Sequence, residues 1–110
     1  MSLGICLSEL FSEDVSRQSR WYEEHANGEV AERFVTAVEA TLQALAKNPT
    51  LGRLRFQPRR ALVGIRSFQV QSPYHRHLIF YRFDEEMLIA ERAIHGARDL
   101  PRRLLRPSWD

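Results

Sequence analysis

The chain reads as an α+β fold, and two observations predict it. The hydrophobic period changes partway along the sequence, from helical spacing before Asn48 to alternation after about Leu62. Turn signals separate the periodic segments into a strand, two helices and three further strands. A chain of 110 residues suits one domain with a single modest core.

The elements follow in order. Gly4 to Leu10 is short and mostly apolar, and reads as a first strand. Ser12 is the expected N-cap of a helix, with Glu13 and Asp14 near the positive end of its dipole. That helix places Val15, Ser19, Tyr22 and Ala26 on one stripe and ends at Asn27-Gly28. Trp21 falls off the stripe, so it meets a second neighbour or stands half exposed. The next helix, from about Glu29 to Asn48, carries Val30, Phe34, Ala37, Val38, Thr41 and Leu45 at helical spacing. Asn48-Pro49 stops it. The short turn between the two helices makes them an antiparallel hairpin.

Leu51 to Arg60 holds four Arg and reads as a basic connection. Three strands follow, Leu62 to Gln71, His75 to Phe83 and Met87 to His95, separated by Ser72-Pro73 and Asp84-Glu85-Glu86. Spacers this short imply an antiparallel meander. Ile79, Tyr81 and Phe83 fall on one face, and Leu78 and Phe80 on the other. The helical hairpin covers one face only, so the other needs the C-terminal tail or a separate partner. At the end, Asp99 and Pro101 suit the start of a short terminal helix or tail.

Composition narrows the function classes. Hydrophobic residues make up 44% and charged residues 27%, ordinary for a soluble globular protein. No apolar run approaches the roughly 20 residues of a membrane helix. The N-terminus has no basic leader of a signal peptide. One cysteine, Cys6, excludes an internal disulfide, fits a reducing cytoplasm, and argues against a cysteine-type metal site. No cofactor and no metal is expected. Residues 1–50 hold eight acids and four bases, net −4; residues 51–110 hold six acids and twelve bases, net +6. All twelve are Arg, which suits bidentate binding of phosphate or carboxylate. An anionic partner is therefore sought in the second half. Genome composition is the other source of an Arg excess, but it leaves the asymmetry unexplained.

Taken in sequence order, WYEEHANGEVAERF, LQALAKNPTLGR, GIRSF, HLIFYRF and ERAIHGARDLP closely resemble the RelE/ParE toxin superfamily, and its ParE-like plasmid-stabilisation branch in particular. The resemblance runs from about Leu7 to Leu104. It implies the toxin of a type II toxin–antitoxin pair, with a curved antiparallel sheet packed on a helical hairpin. It also implies a cognate antitoxin whose C-terminal segment wraps the toxin and covers the second sheet face. RelE-like members cleave mRNA in the ribosome; ParE-like members are inhibitors of DNA gyrase without agreed catalytic residues.

Metal-free RNA cleavage needs a base, an acid, and cations for the phosphorane charge. By resemblance, the sheet cation of the RNases falls at Arg76 or His77 and their late Arg at Arg98. Their late Tyr has no counterpart, because Leu104-Leu105-Arg106 occupy that region. The basic pair before the sheet could only be Arg59-Arg60. His95 is the residue of the C-terminal third suited to acid–base work near neutrality, or else a structural His where the last strand meets Gly96. His75 and His77 should share one strand face, as sheet surface rather than as ligands. Tyr81 packs in the core or lines the concave face; Trp21 and Tyr22 pack or stack on nucleic acid. An RNase would therefore use His95, Arg98, Arg76 and His77. A docking toxin would present Arg66, Arg76, Arg92, Arg98, Arg102 and Arg103 to its partners. The expected function is a gyrase-directed, non-enzymatic toxin. The alternatives are a ribosome-dependent mRNA endonuclease and a degenerate toxin that binds antitoxin only.

Overall fold

A computed structural model of the chain describes residues 2–55 and 64–96. The elements are β1 (Gly4–Leu7), α1 (Glu9–His25), α2 (Gly28–Lys47), β2 (Arg53–Leu54), β3 (Arg66–Gln69), β4 (His77–Phe83) and β5 (Met87–His95). They form an α+β fold in which the helices pack on a five-stranded sheet of order β1-β5-β4-β3-β2. The expected meander is present as β3, β4 and β5, and β2 joins it as a short antiparallel edge. The sheet is nonetheless mixed, because β1 lies parallel to β5. The helix or tail expected at the C-terminus lies outside the described residues.

The first helix starts four residues before the expected Ser12. Ser8 is its N-cap and accepts from the Phe11 amide at 3.0 Å. The Ser8 amide donates to the Ala90 carbonyl and its hydroxyl to the Glu91 carbonyl. One serine thus closes the β1–β5 pairing and opens the helix, leaving Leu10 and Phe11 helical rather than extended. Asn27 does not only follow α1: its side chain accepts from the Val30 amide at 2.9 Å and caps α2. The apolar stripe of α2 buries Phe34, Val38, Thr41, Leu42 and Leu45 as its period requires.

Phe11, Phe34, Val38, Leu42, Leu45, Ile79, Tyr81, Leu88 and Ala90 form the core between helices and sheet. Ile65, Phe80 and Ile94 form a second cluster on the opposite sheet face, with Leu78 against it. These residues are buried in the chain by itself.

Pairing slips between Phe80 and Tyr81, where Phe80 faces Arg92 and Tyr81 faces Ala90, so Glu91 is the extra residue of a bulge in β5. Arg92 is turned there onto α1. Its Nε donates to Asp14 Oδ2 at 2.7 Å and its Nη2 to Oδ1 at 3.0 Å, while the Ala93 amide also donates to Oδ2. Both side chains are about 5% exposed or less. Across the sheet, Tyr81 Oη donates to the Pro49 carbonyl and accepts from the Gly52 amide. Arg66 Nη1 donates to the Gly52 carbonyl at 2.7 Å. A Cβ on Gly52 would collide with the Tyr81 hydroxyl and lie 2.9 Å from the Ser67 carbonyl. Tyr81 is thus a core residue, holding the exit of α2 against the sheet.

Two outcomes follow for stability. Asp14→Asn leaves the buried Arg92 charge uncompensated and should cost about 3–5 kcal/mol in urea denaturation, whereas the paired change Asp14→Leu with Arg92→Met should cost far less. Tyr81→Phe strands the Pro49 carbonyl and Gly52 amide and should cost about 1–3 kcal/mol in the same assay.

Candidate functional site

The proposed site residues separate into those the fold consumes and those it displays. Arg92 is held by Asp14 inside the molecule. Arg66 is partly buried, bonded to Gly52 and placed 5.7 Å from the centre of the Phe83 ring. Arg76 is exposed in the turn before β4, and its carbonyl accepts from the Gly96 amide. Arg98, Arg102 and Arg103, together with Arg59-Arg60, lie outside the described residues.

The histidines divide differently from expectation. His75 lies exposed in the turn, not on the strand, so it does not share a strand face with His77. His77 opens β4 and is buried, 3% exposed. Its Nε2 is 2.9 Å from the Tyr22 hydroxyl. Its ring lies against Phe34 at 4.8 Å and Tyr22 at 5.9 Å between centroids. His95 is its cross-strand partner at the end of β5, with the two rings 4.7 Å apart. The structure thus brings His77 and His95 together, beside Arg76 and Gly96.

Burial, and secondarily the neighbouring His95, push the His77 imidazole down to about 4. His77 is therefore neutral near pH 7 and supplies no positive charge to a phosphate. Burial, with Tyr74 beside it, also holds the Tyr22 hydroxyl above its ordinary value. Tyr22 is in contact with Phe34, Tyr74 and His77, and so packs rather than stacks on a ligand. Trp21 is 50% exposed and lies flat on His25, with centroids 4.4 Å apart.

Sequence reasoning passed over Arg53 and Arg55. The alternation Arg-Leu-Arg after Gly52 was the available signal, hidden inside a segment read as an irregular connection. Arg53 pairs with Ser67 across β2–β3, and Arg55 continues the same register opposite Ile65. Cross-strand partners share a face, so both Arg lie on the side away from the helices. Arg55 Nη1 donates to Ser67 Oγ at 2.9 Å. Together with His75, Gln69 and Leu78 they line a groove of about 700 Å³. Among the described residues there is no cluster of three or more potential metal ligands, and no helix is long and apolar enough to cross a membrane.

A helical hairpin packed on a five-stranded sheet makes this a small two-layer α+β protein. Residues 5–100 match the model of the family described as the ParE toxin of the type II toxin–antitoxin system parDE, and the chain belongs to that family. A solved chain titled "Chromosomal ParDE TA system from P. aeruginosa" has the same fold, with a TM-score of 0.71. The match covers 87% of this chain and 98% of that one at 14% sequence identity. No curated protein matches the chain. The resemblance read from the ordered motifs, and the toxin of a type II system that it implied, agree with these findings.

The depressed His77 predicts a pH dependence of stability. The unfolded chain takes up this proton near pH 6.5, whereas the folded chain resists it until about pH 4. The neutral ring's contribution is complete above pH 6.5 and is lost as pH falls from there to about 4. At about 1.4 kcal/mol per pKa unit it amounts to about 3 kcal/mol. Urea midpoints should fall across this window in the native chain and fall less in His77→Phe.

Proposed function

We propose that this ParE-family toxin acts by docking on DNA gyrase in the cytoplasm, and that a cognate antitoxin holds it in check within a hetero-oligomer. The observation that carries this reading is the use of the sheet's own ionisable groups. Arg92 is neutralised by Asp14, Arg66 is bonded to Gly52, and His77 is neutral and packed against Tyr22. Groups engaged in this way support a protein-docking toxin more than a centre for phosphoryl transfer. The exposed Arg76 and the basic segment with Arg98, Arg102 and Arg103 are then the partner-facing cations.

The groove lined by Arg53, Arg55 and His75 favours a second reading, cleavage of ribosome-bound mRNA, because paired cations on one face suit a phosphodiester. In that case His95 and Arg98 would supply acid–base and charge-stabilising roles beside Arg76 and His77.

Induction in cells distinguishes the two. Docking on gyrase should give DNA breaks and an SOS response while mRNA ends stay unchanged, and His95→Gln should keep this effect. Prompt mRNA cleavage with intact chromosomes, lost by about 10²–10⁴-fold in His95→Gln, would establish the nuclease instead. Neither signal, with antitoxin binding intact, would mark a degenerate toxin. In the same cells Arg98→Ala should weaken toxicity or antitoxin binding, while Arg33→Ala, exposed on α2 and paired with Glu29, should not.

A further inference from the structure

We infer that two copies of this chain pair through the free edge of β1, antiparallel about a two-fold axis at Cys6, so that their sheets join into one. The inference concerns self-association and is independent of what the toxin attacks.

The main-chain bonds leave this edge open. β1 is the outer strand of the sheet and runs parallel to β5. The Gly4 amide donates to the Glu86 carbonyl and the Ser8 amide to the Ala90 carbonyl, so Gly4, Cys6 and Ser8 turn their main-chain groups toward β5. Leu3, Ile5 and Leu7 turn theirs outward. The Leu3 amide reaches the Ala46 carbonyl at the end of α2. Among the described residues none bonds the main chain of Ile5 or Leu7 on that side. Natural sheets blunt such edges with charge, proline or very short strands. β2, at the opposite edge, follows this pattern, being two residues long and carrying Arg53. Gly4–Leu7 has neither charge nor proline, and Leu7 is 48% exposed.

A second copy fits this edge better than a charged segment does. An acidic or a basic chain finds no opposite charge along Gly4–Leu7, whereas a like strand brings no like charges together. The edge is also self-complementary, as a two-fold interface requires. Ile5 and Leu7 flank Cys6 evenly, so an antiparallel copy centred on Cys6 sets each Ile5 opposite a Leu7. Those pairs exchange main-chain bonds, and their side chains meet on the helix side, where Ile5 already packs against the core. The same register carries Glu9 of one copy to the Leu3 end of the other. There Ala46 bonds Leu3, and the next residue, Lys47, is exposed. Glu9 is exposed too, so the axis matches acid to base at both ends. Cys6, exposed on the face away from the helices, meets its own copy on the axis as a non-hydrogen-bonded pair. Such pairs hold their Cα atoms about 4.5 Å apart, within the range of about 4.4–6.8 Å that a disulfide spans.

The test uses the purified full chain. Under reducing conditions sedimentation should show a dimer that grows with concentration, and the Ile5 and Leu7 amides should gain protection from hydrogen exchange in step with it. Diamide should then join the copies through Cys6 on a non-reducing gel. Leu7→Lys, at a half-exposed position, should lower both dimer and cross-link at least about tenfold, with the melting curve of the dilute chain unchanged. Lys47→Glu should weaken the dimer, and adding Glu9→Lys to the same chain should restore it. A chain monomeric at every concentration, a dimer indifferent to Leu7→Lys or to Lys47→Glu, a charge swap that fails to restore it, or a Cys6 left free under diamide would overturn the inference. So would protection of Ile5 and Leu7 that appears only when another protein is added.

Discussion

The ion pair between Asp14 and Arg92 is the constraint on which the rest of the arrangement depends. Burying a carboxylate and a guanidinium is costly, and the cost is recovered only by good geometry and full hydrogen bonding. Both conditions hold, because Asp14 accepts two bonds from Arg92 and a third from the Ala93 amide. The Ala93 amide lies on β5 beyond the last residue paired with β1, which ends at Leu7 opposite Ala90. Asp14 therefore does for the outer edge of β5 what a longer β1 would have done. The bulge at Glu91 is what lets Arg92 reach α1 while Ala93 returns to the core face.

From this tie the positions of the other candidate groups follow. With α1 fixed across β5, Tyr22 arrives over the start of β4 and meets His77. His77 is then enclosed by Tyr22, Phe34 and His95, and becomes a neutral ring at ordinary pH. The second tie, Tyr81 with Pro49, Gly52 and Arg66, acts at the other side of the sheet. Two of the Arg that a sequence reading assigns to partners are thus framework. An Arg on a strand looks the same in sequence whether it faces solvent or a carboxylate on another element.

Much of the fold was nonetheless legible. The long stripe of α2 and the alternation of β4 and β5 are strong periodic signals, and both elements lie close to where they were expected. The partition of Ile79, Tyr81 and Phe83 from Leu78 and Phe80 also holds in the two apolar clusters. What failed was local or long-range. Ser8 and Ser12 are equally good caps in isolation, and only the bonds from Ser8 to β5 decide between them. β1 joins parallel to β5 across most of the chain, a pairing that no local pattern encodes. Asp14 looked like an ordinary first-turn acid, and nothing in its neighbourhood pointed to Arg92. The family was legible because the ordered motifs span nearly the same residues as the match.

The two ties also explain why the cations that face outward are where they are. Arg66 and Arg92 are drawn inward, to Gly52 and Asp14 respectively. On the side away from the helices Arg53 and Arg55 lie at the rim, where β2 stops short of the end of β3, and Arg82 lies further along β4. A sheet that buries Ile65, Phe80 and Ile94 in the middle of that face has its chemistry pushed to the margin.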